Sequence, residues 1–153
     1  MDLRTRLKEA VKEAMKEKAS ERLSTLRLIL AAIKDRDIAA RAEGNENGVA
    51  EPELLAILGK MVKQRKESAH TYEEAGRLDL AERETGEIEV IKEFLPKPLS
   101  ESQITAAIDE AIAEIGALSI RDMGRVMAVL KAKYTGRMDF GAVGAEIKAR
   151  LAS

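Results

Sequence analysis

The chain has 153 residues, 45% of them hydrophobic and 35% charged, which is enough apolar material for one ordinary domain or two small ones. Its net charge of −1 excludes attraction of nucleic acid by a global field, so any such contact must come from a local patch. Cysteine is absent, which excludes disulfides, thiolate nucleophiles, zinc–thiolate sites and iron–sulfur clusters.

Leu3, Leu7, Val11 and Ala14 recur at helical spacing in the first segment. Its other side pairs Glu9 with Lys12 and Glu13 with Lys16, the pattern of a solvated face. Ser20 or Ser24 is the expected cap of a second helix, with Leu23, Leu26, Leu30 and Ile33 on one stripe and Ile29 beside it. The run Glu43-Gly44-Asn45-Glu46-Asn47-Gly48 breaks it. Glu51-Pro52-Glu53 opens a third helix, because Pro fits a first turn and acids favour the positive helix end. Leu54, Ile57, Leu58, Met61 and Val62 line its inner face, and Gly76 stops it. Asp79 is the expected cap of a fourth helix with the stripe Leu80, Ile88, Ile91 and Leu95.

Pro96-Lys97-Pro98 forbids continued helix and reads as a hinge or linker. Ser100 with Gln103 is a capping-box signature ahead of Ile104, Ile108, Ile112 and Ile115, and Gly116 ends that helix. Ser119 is the expected cap of the next, with Met123, Val126, Met127 and Leu130 inward and Gly136 as its stop. Asp139 caps the last helix, where Val143, Ile147 and Leu151 face inward. No strand pattern and no repeat of fixed period occurs. The fold class is therefore all-α: an N-terminal bundle of about four helices (1–95), then a small three-helix module (99–153).

Charged start residues Met1-Asp2 argue against a signal peptide, and no apolar run approaches the roughly 20 residues of a membrane span. The expected location is cytoplasmic, with no membrane partner.

Catalytic patterns are weak throughout. Glu67-Ser68-Ala69-His70 has the Glu-x-x-His spacing of di-metal bundles, but such a centre takes two of these motifs and the chain has one His. A boundary or surface residue is the expectation for His70, and no metal ligand set is assigned. Ser68 and His70 are two apart on a helix and point in different directions. There is no Gly-x-Ser-x-Gly elbow and no phosphate-cradling glycine loop after a strand. No catalytic residue and no cofactor is assigned.

Cations are better organised. Lys63, Lys66 and His70 share a face of the third helix, placing Lys63 and Lys66 among candidate phosphate contacts beside the alternative of a solvated face. Arg65 lies on the apolar stripe and is expected to be partly buried against Glu84 or Glu87 of the fourth helix. After Leu99 the module holds 7 basic and 7 acidic residues, with no Lys or Arg between Pro98 and Arg121. Arg121, Arg125, Lys131, Lys133 and Arg137 then follow close together, a local basic surface. With only Phe94, Phe140, Tyr72 and Tyr134 as aromatics there is no stacking platform for single strands, so any RNA would be folded and read by backbone and shape. Tyr134 is the one candidate for stacking on an exposed base.

Several elements in order carry a resemblance. Leu26-Arg27-Leu28-Ile29-Leu30-Ala31-Ala32-Ile33-Lys34 is followed by Lys63-Gln64-Arg65 with Glu67-Ser68, then by Ala75-Gly76-Arg77 with Asp79-Leu80-Ala81, then by Phe94-Leu95-Pro96. Met123-Gly124-Arg125-Val126-Met127 and Gly136-Arg137 with Asp139 complete the series. The whole resembles the GatB/YqeY family, small proteins related to the C-terminal helical region of the B subunit of the glutamine-dependent aminoacyl-tRNA amidotransferase. Met138 and Phe140 depart from the small residues that the amidotransferase branch carries around its Gly-Arg-x-Asp turn.

The resemblance implies a non-catalytic tRNA-binding accessory protein, since in the amidotransferase the tail contacts tRNA while chemistry sits elsewhere. It adds Gly124, Arg125, Gly136 and Arg137 as RNA-binding positions. Gly124 would allow close helix or backbone approach, the two arginines would offer forked donors to phosphate, and Gly136 would permit the helix stop. The implied partners are tRNA and an amidotransferase or aminoacyl-tRNA synthetase. A protein-interaction scaffold without RNA is the alternative. Carbon–nitrogen ligase activity with glutamine as amido donor follows from family analogy only, and the missing nucleotide and amidase patterns argue against this chain performing it alone.

Overall fold

A computed structural model describes residues 2–152, which form seven α-helices, one 3-10 turn and no strand. The chain divides into two compact units, 1–95 and 96–153, each with its own core.

The first unit contains α1 (Leu3–Lys16), α2 (Ser20–Ala42), α3 (Glu51–Glu74) and α4 (Leu78–Lys92). Leu3, Leu7, Leu26, Ile29, Leu58 and Ile91 are fully buried in its core, as their helical spacing dictates. Each such side chain contributes roughly 1.5–3 kcal/mol relative to exposure. α3 and α4 pack together as a hairpin, and the small residues Ala69 of α3 and Ala81 of α4 are buried. Arg65 crosses this hairpin: its Nε donates to Glu87 at 2.8 Å, with the Arg side chain only 16% exposed. Of the two expected partners, Glu87 is therefore the real one.

A second polar tie joins α1, α2 and the loop between α2 and α3. The Arg4 guanidinium forks onto both Asp37 oxygens at 2.9 Å and also donates to the Val49 carbonyl at 3.0 Å. Asp37 Oδ1 in turn accepts the Val49 N–H at 2.9 Å. These bonds, Arg4 first, hold the Asp37 carboxyl down at about 2. Gly48 takes φ +85° beside this fork, and a Cβ there would stand 3.1 Å from both Arg4 Nη2 and Asp37 Oδ1.

Two expected caps are corrected. α2 begins at Ser20 itself, with Ala19 as the capping position and no side-chain cap bond. The reason lies in the preceding turn. Lys18 takes a left-handed φ of 56° and the Ala19 N–H returns to Ala14 O, so the chain re-enters helix without a serine's help, and Ser24 falls inside it. Asp79 likewise sits in the first turn of α4, after Arg77, and its carboxylate accepts the Arg77 guanidinium at 3.3 Å instead of capping.

The second unit contains α5 (Glu101–Ile115), a 3-10 turn (Ile120–Asp122), α6 (Met123–Tyr134) and α7 (Phe140–Ala152) around buried Ile108, Val126, Leu130 and Ile147. Ser100 and Gln103 form the full capping box. Gly116 and Gly136 take φ +69° and +78°, the left-handed conformation that ends their helices. The Asp139 carboxylate accepts the Gly141 N–H at 3.0 Å at the start of α7. Tyr72 belongs to α3 in the first unit and Tyr134 to α6 in the second, both half-buried. Among the described residues no helix is long and apolar enough to cross a membrane.

Candidate nucleic-acid interface

α6 turns Met123, Val126, Met127, Leu130 and Tyr134 toward the second core, so its opposite side faces solvent. Arg125, Ala128 and Ala132 occupy that outer side at spacings of three and four, with Gly124 and Lys131 along one edge. All five are exposed. Arg121, also exposed, enters one turn before Arg125 from the 3-10 turn. The result is an exposed strip on which Arg121, Arg125 and Lys131 stand among the small residues Gly124, Ala128 and Ala132. Ala128 and Ala132 were not singled out by charge or motif; the signal was their phase on the helix.

Asp122 organises the entrance to this strip. Its Oδ2 accepts the N–H groups of Leu118 (3.0 Å) and Ser119 (3.3 Å), and its Oδ1 accepts Arg125 Nη2 at 2.9 Å. The two backbone donors first, then Arg125, hold the Asp122 carboxyl below its ordinary value. Ser119 completes a capping box with it. The Ser-x-x-Asp spacing of Ser119 and Asp122 is the sequence signal that would have found Asp122, the residue that aims Arg125. The Arg125 side chain remains 66% exposed despite this bond.

The remaining candidates go elsewhere. Lys133 points to the other flank of α6 and pairs with Glu114 of α5 at 3.0 Å, which raises its pKa. Arg137 is half-buried, and its Nε donates to the Lys97 carbonyl at 2.9 Å while the Leu99 N–H donates to Arg137 O at 2.9 Å. Arg137 thereby staples the segment before α5 to the turn between α6 and α7. Of the arginine pair, only Arg125 stands on the open strip.

Gly124 does not provide a close helix approach. A Cβ there would meet nothing within 4 Å, because the residue lies on the outer side of α6. Gly144, on the inner side of α7, is the one packed against α6, 3.5 Å from the Met123 Cε methyl. Tyr134 packs against the second core, so it is not an open stacking platform.

In the first unit Lys63 and Lys66 are exposed on α3. His70, on the same face, forms an exposed pair with Glu74, Nε2 to Oε1 at 2.9 Å. Among the described residues no group of three or more His, Asp and Glu side chains is placed to hold a metal ion.

Comparison with known proteins gives relatives with a mitochondrial name. Altered inheritance of mitochondria protein 41, mitochondrial, of Clavispora lusitaniae is 40% identical over 91 residues, 60% of this chain and 46% of the relative. The protein of that name in Lachancea thermotolerans is 34% identical over 117 residues, 75% of this chain and 60% of the relative. The chain thus spans about half the length of the first relative and three fifths of the second. The family described as Yqey-like protein matches residues 4–151. Matched from its fourth residue almost to its end, the chain belongs to the YqeY-like protein family.

Proposed function

We propose that the chain is a non-catalytic tRNA-binding accessory protein, in the manner of the amidotransferase tail that its second unit resembles, with α6 as the docking helix. The observation that carries this reading is the exposed strip of Arg121, Gly124, Arg125, Ala128, Lys131 and Ala132. Its cations suit phosphate, and the small residues between them let a nucleic-acid backbone come close. Lys63 and Lys66 of α3 are assigned as secondary phosphate contacts. Lys133, Gly136 and Arg137 support the surface, the first from its flank and the other two by fixing the turn beyond it. An amidotransferase or aminoacyl-tRNA synthetase is the natural source of delivered tRNA. The cytoplasm is the proposed compartment, and the mitochondrion in the relatives' name is the other.

The test is a filter-binding titration with total tRNA over a salt series. Binding should weaken as salt rises, and Arg121→Ala, Arg125→Ala and Lys131→Ala should each lower the log–log slope by roughly 0.7–0.9. A slope unchanged in all three variants would refute the assignment.

One observation favours a second reading, a protein-interaction scaffold. α2 buries Leu26, Ile29 and Ile33, while Leu28 and Ile38 on its otherwise polar outward side are 43% and 57% exposed. Tight capture of a protein partner, lost in Leu28→Glu and Ile38→Glu with tRNA binding intact, would support it. Carbon–nitrogen ligase activity, invited by the family relationship, has no residue assigned to it here. Glutamine-dependent ammonia release by the purified chain is the measurement that would install it.

A further inference from the structure

We infer that the turn between α5 and α6 carries an apolar knob, Leu118 with Ile120, that seats against an unstacked base of a folded RNA while Arg121 and Arg125 hold the flanking phosphates. The inference rests on the tRNA-binding reading and names what that surface reads.

Leu118 is 91% exposed, the most exposed large apolar side chain among the described residues, and Ile120 is 43% exposed. A single surface leucine is unremarkable, but this one is held out on a fixed backbone. Gly116 turns at φ +69° and the Ala117 N–H returns to Ile112 O at 3.0 Å, with Ala117 buried in the core beneath. The Leu118 and Ser119 N–H groups both end on Asp122 Oδ2, and the Arg121 N–H ends on Ser119 Oγ at 3.3 Å. Such a tip meets a partner with little ordering left to do.

Charge selects the occupant. The exposed Arg121 and Arg125 lie within seven positions of the knob; Asp122 between them accepts backbone donors and pairs with Arg125, whose side chain stays 66% exposed. An apolar tip with exposed arginines following it in the chain fits a flat apolar face with anions beside it. A looped-out nucleotide has that pattern: a base plane between two phosphates. Aliphatic side chains such as Leu and Ile are an established way for proteins to wedge against bases, as DNA minor-groove binders do between base steps. The chain has no aromatic substitute here, because Tyr134 is packed inward.

The experiment measures fluorescence anisotropy with total tRNA and with a blunt RNA duplex of equal phosphate number, each across a salt series. The proteins are the wild type, Leu118→Ser, Ile120→Ser and Arg125→Ala, with circular dichroism confirming the fold. Leu118→Ser should weaken tRNA binding about 5-fold at every salt, leave the salt slope unchanged, and leave duplex binding unaltered. Arg125→Ala should lower the slope for both RNAs. If the wild type binds tRNA with a salt slope but Leu118→Ser and Ile120→Ser bind equally well, the knob is overturned and the tRNA reading stands. Equal weakening toward the duplex overturns the base contact. Loss of a protein partner in Leu118→Ser with RNA binding unchanged also overturns it. If the wild type does not bind tRNA at all, both readings fall.

Discussion

Asp37→Asn isolates the charge in the tie among α1, α2 and the following loop. The substitution keeps the shape and one acceptor oxygen but removes the carboxylate that Arg4 grips and that accepts the Val49 N–H. The Asp37 carboxyl lies at about 2 against an ordinary 3.8. A difference of that size corresponds to about 2.4 kcal/mol at most. Both side chains are partly open, 35% for Arg4 and 27% for Asp37, so solvent screening reduces the expectation to about 1–2 kcal/mol. The sign follows from the depressed folded value. The contribution is present above the unfolded pKa of 3.8 and is lost as pH falls through about 2. Roughly half should remain near pH 3 and almost none below pH 2. Urea unfolding followed by circular dichroism at pH 7, 5, 4 and 3 measures it. The gap between wild type and Asp37→Asn should hold at pH 7 and 5 and then shrink. A gap that is zero at pH 7, or constant from pH 7 to pH 3, would refute the reasoning.

Other outcomes follow from the same geometry. Glu87→Ala should destabilise the first unit by about 1–3 kcal/mol, because Arg65 is left largely buried and without its carboxylate. The double change Arg65→Met with Glu87→Leu should recover much of that loss in denaturant unfolding. Gly136→Ala should cost about 1–2 kcal/mol in thermal unfolding, since φ is +78° there. Ser100→Ala should cost about 1 kcal/mol through loss of the capping box at α5. Gly124→Ala should leave stability unchanged or slightly raised, because its Cβ would enter open space in a helix, and any loss of tRNA binding would then report on the outer strip itself.

Local signals carried the fold far. The glycines at 76, 116 and 136 marked helix ends because few other residues take positive φ, and all three do so. Ser100 with Gln103 announced its capping box through a fixed three-residue spacing. Arg65 betrayed its partner because a cation on an apolar stripe must find an acid across the hairpin. Ser20 and Asp79 misled because cap-forming residues also occur inside first turns, and tight turns before α2 and α4 did the capping work. The Arg4–Asp37–Val49 tie was not legible, since it joins positions 33 and 45 residues apart with no spacing rule between them. Arg137 was read as a phosphate donor for a similar reason: a backbone carbonyl such as that of Lys97 leaves no trace in the identity of its residue. At α6 the charges were visible, but only the helix phase separates Arg125 and Lys131 on the open strip from Lys133 on the side of α5.

The placement of the two tyrosines has a practical use. With Trp absent, tyrosine emission comes from Tyr72 and Tyr134, and each compact unit owns one of them. Tyr134→Phe therefore leaves a chromophore that reports solely on the amino-terminal half, and Tyr72→Phe one that reports solely on the carboxy-terminal half. Their melting curves, overlaid, reveal whether the halves lose structure in one cooperative event or in two.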